Sequence, residues 1–138
     1  MEKVIDVIAR IPLFSGLSRA QLAELRGIVL ERNFGKGGLI FSDGDEGDGF
    51  YVILQGRVKV FKVSADGKEH ILHIFTPGQT FGEVPVFAGE HFPANAEAIQ
   101  ESRTLFFPRP AFVALLGKNP GLALKLLADL SVKLRQFA

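Results

Sequence analysis

From residue 33 to residue 108 the apolar positions fall into short β-rich runs punctuated by glycines. The runs cover 39–42, 50–55, 57–63, 69–75, 94–99 and 104–107. Short strands repeating every 8–12 residues or so predict a β-sandwich or barrel. Asp66-Gly67 between two such runs predicts a hairpin turn, and Gln55-Gly56 a bend or bulge inside a longer strand. Helical signals bracket this region. A short helix is expected over 2–9, ended by Pro12. Ser18 and Gln21 have the spacing of a capping box, with Leu17 and Leu22 at the staple positions. Leu22, Leu25 and Val29 then predict a helix over 19–30. After 108, Pro110 suits a first helical position and Gly117 a C-terminal stop. Asn119-Pro120 then reads as an N-cap and first residue of a last helix.

That last helix has its own pattern. Ala123, Leu127, Leu130, Leu134 and Phe137 alternate steps of four and three, the period of a coiled-coil seam. Leu122, Leu124, Leu126 and Val132 fall outside the seam, so the helix is apolar on more than one face. One face is expected to pack on the barrel and the other on a second copy, the alternative being a helix buried wholly within its own chain. The pattern runs to Ala138 without a C-cap, which suggests a longer parent protein.

Composition narrows the chemistry. The chain has 138 residues, the size of one ordinary domain, and is 47% hydrophobic and 22% charged, as globular domains are. Net charge is +1, which argues against a polybasic arm gripping nucleic acid by bulk charge. Charge is uneven: residues 1–102 hold 10 basic and 14 acidic side chains, and residues 103–138 hold 6 and 1. There is no cysteine, which excludes disulfides, thiolate metal sites and cysteine nucleophiles. No apolar run approaches the ~18 residues of a membrane span, and the acid-bearing N-terminus does not resemble a signal peptide. A cytoplasmic protein is expected.

Several stretches carry residues of candidate chemistry. Residues 43–48 resemble a calcium loop, but counting from Asp43 its sixth position is Asp48 and its twelfth Leu54, where glycine and glutamate are needed. A polar turn is the better reading. His70 and His73 share one strand at odd spacing, which predicts opposite faces, and His91 falls in a loop. No protein-only metal site is expected. No G-x-S-x-G, no Ser/His/Asp spacing and no paired carboxylates appear, so no catalytic residues are assigned and the chain is expected not to be an enzyme. The informative stretch is 77–87. A turn at Pro77-Gly78 leads into a strand, and Gly82 then lets the backbone turn closely ahead of a short helix. The free N–H groups of that helix would suit an anion, and Glu83 could accept from a hydroxyl. The same residues equally fit a tight turn whose Glu pairs with a nearby Arg.

Three stretches together carry a resemblance. They are Ile11-Pro12-Leu13-Phe14-Ser15-Gly16-Leu17; Gly44-Asp45 followed by Phe50-Tyr51-Val52-Ile53-Leu54-Gln55-Gly56-Arg57-Val58-Lys59-Val60; and Pro77-Gly78 followed by Phe81-Gly82-Glu83. Over nearly its whole length the chain resembles the sensor half of the cyclic AMP receptor/fumarate–nitrate regulator (Crp/Fnr) family. The resemblance implies a mainly β fold with flanking helices: an eight-stranded, jelly-roll-like double-stranded β-helix, short N-terminal helices and a long C-terminal dimerisation helix. It implies a sensor domain over 1–118, the start of the dimer helix over 119–138, and a DNA-binding domain beyond these residues. In such regulators the effector shifts the dimer and reorients that domain on DNA.

The resemblance also implies a site. In nucleotide-binding members the Gly-Glu pair, here Gly82-Glu83, opens a phosphate cassette in which the Glu takes a ribose hydroxyl. An Arg about ten residues on holds the cyclic phosphate. The matching run here is Phe92-Pro93-Ala94-Asn95-Ala96-Glu97-Ala98, so Phe92 stands in that Arg's place. Losing one partner of such a buried pair typically costs ~2–5 kcal/mol, roughly 30- to 4000-fold in affinity. No Arg or Lys occurs between Lys68 and Arg103 to replace it. This argues against tight cyclic AMP binding and for another effector. Haem is a candidate, because nitric-oxide-responsive, haem-dependent members have an apolar pocket at this point; Phe81, Phe87, Phe92 and Pro93 would suit one, with His70 or His73 as conceivable ligands. The expected effector contacts are Phe81, Gly82, Glu83, Val84, Phe92, Pro93 and Ala94. The expected partners are a second copy of the chain and a small-molecule effector, with no membrane.

Overall fold

The computed structural model describes residues 3–136. Its elements in chain order are α1 (Val4–Arg10), a 3-10 turn (Pro12–Phe14), α2 (Arg19–Arg26), β1 (Leu30–Phe34), β2 (Leu39–Phe41), β3 (Gly49–Gln55), β4 (Val58–Val63), β5 (Glu69–Phe75), β6 (Thr80–Phe81), α3 (Glu83–Ala88), β7 (Asn95–Ala98), β8 (Ser102–Pro108), α4 (Arg109–Lys118) and α5 (Pro120–Gln136). They form two compact units, Leu30–Arg109 and Met1–Val29 with Pro110–Ala138.

The first unit is the expected β domain. Its eight strands make two four-stranded antiparallel sheets, in the orders β1-β8-β3-β6 and β2-β7-β4-β5. The Asp66-Gly67 hairpin forms as expected: Gly67, at φ +82°, donates its N–H to Ser64 O, and the Ser64 N–H donates to Lys68 O. Gly56, at φ +106°, does more than bend a strand. It separates β3 from β4, which lie in different sheets, so the chain changes sheet there. Its α-carbon lies against Ser102, leaving no room for a side chain.

The helical unit corrects two boundaries. The capping box at Ser18 and Gln21 is present on both sides, with Ser18 Oγ accepting from the Gln21 N–H and Gln21 Oε1 from the Ser18 N–H. The helix it opens ends at Arg26, not at residue 30. Gly27 closes it, Val29 is buried outside it, and Leu30 already pairs with Phe106 in β1. Sheet pairing there overrides the apolar spacing that extended the helix on paper. Gly117 is not a stop; it lies inside α4, which runs to Lys118. Asn119 then caps α5 as expected, its Oδ1 accepting from the Leu122 N–H at 3.2 Å, while its Nδ2 donates to the Glu24 carboxylate at 3.0 Å. Phe14 and Phe112 meet at 6.5 Å between ring centres.

A third correction concerns the histidines. Between Val60 and Phe61 the register of β4 on β5 shifts: Val60 faces His73, but Phe61 faces Ile71 and Lys62 faces His70. Leu72 is the extra residue of a β-bulge. Val60 and Lys62 lie two apart and share a face, so the bulge brings both histidines opposite one face of β4 instead of separating them. Among the described residues no group of three or more His, Asp or Glu is placed to hold a metal ion.

Candidate functional site

The interior of the β unit is aromatic. Tyr51 on β3 pairs with Phe106 on β8 and with Phe81 on β6, so the three side chains leave the sheet on one face. The ring of Tyr51 stacks on Phe81 at 5.2 Å and 11°, and meets Phe106 at 4.9 Å. From the second sheet Phe41 approaches both, 6.3 Å from Tyr51 and 6.2 Å from Phe81. Phe75 meets Phe81 at 5.5 Å. This cluster lies between the sheets.

The expected site begins where β6 ends. Phe81 is buried, and Gly82 follows at φ +82° and ψ 0° as the N-cap of α3. Only glycine adopts this left-handed conformation without strain. A Cβ at Gly82 would also stand 3.3 Å from Phe92 Cε1 and 3.5 Å from Phe41 Cε2. Glu83 opens α3 half-buried, and its Oε2 is a buried oxygen without a hydrogen-bond partner. Burial pushes its carboxyl up from the ordinary 4.5, while a hydrogen bond from its own backbone N–H pulls it back.

Phe92 occupies the position opposite. It is 2% exposed and stacks face to face on Phe41, with ring centres 3.8 Å apart and planes 6° apart. Its backbone is held on both sides: the Phe92 N–H donates to Asp45 O, and Phe92 O accepts from the Gly44 N–H at 2.8 Å. The acidic 43–48 stretch is thus a polar turn. Asp45 Oδ2 accepts from the Ser42 N–H, and Gly44 O lies 2.8 Å from His91 Nδ1.

The structure therefore brings Phe81, Gly82, Glu83 and Phe92 to one place, with Ala94 buried beyond. Val84 is 71% exposed and Pro93 is exposed. Phe87 is placed differently from expectation. It packs edge-on against Phe50 at 5.3 Å, and Phe50 leaves β3 on the face opposite Tyr51. Phe87 therefore does not join the interior cluster.

Sequence reading missed Arg32, Phe41 and Tyr51. The Arg32 guanidinium lies over the Phe106 ring, 3.6 Å from its centre, and Nη1 donates to Tyr51 Oη at 3.2 Å. Burial raises the Tyr51 hydroxyl, and so does the charge of Asp48, while Arg32 lowers it.

In α5, Leu122 and Leu126 are buried, whereas Leu124, Leu127, Val132 and Leu134 are exposed. Of the expected seam, Leu127 and Leu134 are the most open, Ala123 and Leu130 are intermediate, and Phe137 lies outside the described residues. Among the described residues no single helix is long and apolar enough to cross a membrane.

Residues 31–119 match the cyclic nucleotide-binding domain family, and the chain belongs to it. Its nearer kinship is with the sensor domains of Crp/Fnr-type regulators. It is 30% identical over 131 residues to the CRP-like cAMP-activated global transcriptional regulator of Mycobacterium tuberculosis, covering 95% of this chain and 58% of that protein. The N-terminal domain of a transcriptional regulator from Streptomyces coelicolor superposes with a TM-score of 0.84 at 33% identity, covering 96% of this chain and 94% of that one. The sensor domain of the transcriptional regulator DNR from Pseudomonas aeruginosa superposes with a TM-score of 0.79 at 33% identity, covering 95% and 88%. The chain thus spans little more than half of the full-length regulator it matches, and nearly all of the isolated sensor domains.

Proposed function

We propose that this chain is the effector-sensing and dimerisation domain of a Crp/Fnr-type transcription regulator, and that its effector is not cyclic AMP. The reading has no catalytic step. It makes the domain a cytoplasmic one that acts on DNA through a separate C-terminal domain of the parent regulator. The observation that carries it is the Phe41–Phe92 stack. Where nucleotide-binding members hold the cyclic phosphate with a guanidinium, a buried phenyl ring lies flat on another at 3.8 Å. A cyclic phosphate keeps its negative charge, and an aromatic face offers it repulsion instead of paired N–H donors.

Glu83 is the half of the cassette that persists, and it supports an effector with a hydroxyl or another polar edge. Haem is one candidate for the aromatic interior, where it would supply an iron centre for a diatomic gas. His73 is the histidine best placed to ligate it: its ring lies 4.3 Å from Phe75, which in turn meets Phe81. The exposed leucines of α5 support pairing with a second copy.

Calorimetric titration of the purified chain with cyclic AMP at physiological salt tests the reading. The expected result is no saturable heat up to millimolar ligand, followed by a Soret band on haem addition that His73→Ala removes. Micromolar cyclic AMP binding lost in Glu83→Ala would overturn the proposal in favour of a nucleotide binder with an unusual phosphate site. Silence toward both ligands, with a stable dimer, would leave a ligand-free interaction module.

A further inference from the structure

The interior lacks a cation at Phe92, yet strand pairing delivers one from elsewhere in the chain. Arg32 faces Thr104 across β1 and β8, in line with the Tyr51–Phe106 pair one step along. It therefore shares the face of the sheet that Phe41 approaches from the opposite side. Among the described residues the guanidinium makes one cation–π contact, with the Phe106 ring, and one hydrogen bond, to the Tyr51 hydroxyl. Among the described residues no carboxylate lies within ion-pair distance of it. The Tyr51 hydroxyl accepts from Arg32, and its own proton is given to no acceptor among the described residues. Tyr51 is 2% exposed and Arg32 is half-buried, so these donors stand at the edge of the desolvated cluster.

We propose that Arg32 and Tyr51 form an oxyanion site inside the β unit, and that it takes the carboxylate of a small, flat aromatic acid. The free edge of the guanidinium fork and the phenol O–H would grip the two oxygens. Phe34, which meets Tyr51 edge-on at 6.3 Å, and the Tyr51–Phe81 stack would flank the apolar body. A carboxylate fits better than a bare inorganic anion, because the rings of Phe34, Phe41, Phe81 and Phe106 all lie within 6.3 Å of the Tyr51 ring, centre to centre. Asp48 adds a negative charge to the surroundings of Tyr51, which disfavours ligands of higher charge. The burial that keeps Tyr51 protonated keeps it a donor across the neutral range. This inference rests on the preceding reading and gives that non-nucleotide effector a chemical class.

The test uses 2-naphthoate and its neutral isostere 2-naphthamide, titrated calorimetrically into the chain. Tyr51 is the single tyrosine of a tryptophan-free sequence, so tyrosine emission, which the naphthyl group quenches, reports on this site alone. The acid is expected to bind about tenfold or more tighter than the amide and to quench Tyr51 at saturation. Arg32→Gln is expected to erase that preference and Tyr51→Phe to weaken it. Arg32→Lys, which keeps the charge but loses the fork, should fall between. A purely structural brace would behave otherwise: Arg32→Gln would lower the thermal midpoint and leave the acid-to-amide ratio unchanged, and that result overturns the proposal. So does the absence of saturable naphthoate binding to the wild-type chain up to millimolar concentration. The two readings fail separately. Naphthoate failure without cyclic AMP binding leaves the preceding proposal standing, whereas cyclic AMP binding lost in Arg32→Gln keeps the anion site and removes the non-nucleotide effector.

Discussion

Glu83, the proposed effector contact, sits where its charge works against stability. Its Oε2 is buried without a partner, and burial raises its carboxyl above 4.5. The folded state therefore holds this proton to higher pH than the unfolded chain does. Wherever the folded state binds more protons, stability falls as pH rises. This contribution is fully present below about pH 4.5 and is lost as pH climbs through the raised folded value. Glu83→Gln keeps the shape and removes the charge. The expected outcome is an unchanged thermal midpoint at pH 4 and a variant more stable by ~1 kcal/mol at pH 7.5. An equal gap at the two pH values would show that ionisation is not the cause. The Gly82-Glu83 pair was legible in the sequence because the turn and helix start it forms are written in adjacent residues. Arg32 and Tyr51 were not, because 19 positions separate them and only the pairing of β1 and β3 with β8 brings them together.

The same division between local and long-range cause holds for elements. The hairpin at Asp66-Gly67, the capping box at Ser18 and the Asn119-Pro120 start of α5 are each written within a few residues, and each forms as expected. β5 matches its expected span of 69–75, and β3, β4 and β7 lie within a residue of theirs at either end. β1, the strand that sequence reading missed, depends on its partner and lies at the edge of its sheet against β8, whereas β6, expected as the strand ahead of Gly82, has two residues, both paired to β3. The bulge at Leu72 is also a property of pairing, since one strand alone alternates regularly and predicts the wrong faces for His70 and His73. Of the local signals, the capping box has the simplest test. Ser18→Ala removes the acceptor for the Gln21 N–H and is expected to cost ~1 kcal/mol in denaturant unfolding, with the midpoint moved and the slope unchanged. A loss below about 0.5 kcal/mol, the size of an uninvolved surface change, would mean that tertiary packing alone fixes the start of α2.

At the scale of the whole molecule the open question is what covers α5. Leu124, Leu127, Val132 and Leu134 are 67%, 60%, 55% and 70% exposed, four large apolar side chains on one helix of 17 residues. Leu122 and Leu126 are buried within the same chain, so the helix already has its inward face and this second stripe is surplus to folding. Leu127 and Leu134 stand one heptad apart, the repeat by which a helix presents the same edge to a parallel copy of itself. The expected outcome is a wild-type chain that sediments as a dimer, and a Leu127→Glu, Leu134→Glu double variant that sediments as a monomer. Because both side chains are open in the single chain, the variant's helical circular dichroism should persist. A core role would instead lower helicity together with stability. The dimer's thermal midpoint should rise with concentration and the variant's should not, since association stabilises only what binds the folded form. A wild-type chain that stays monomeric at every concentration, with a midpoint independent of concentration, would assign the stripe to some partner other than a second copy of itself.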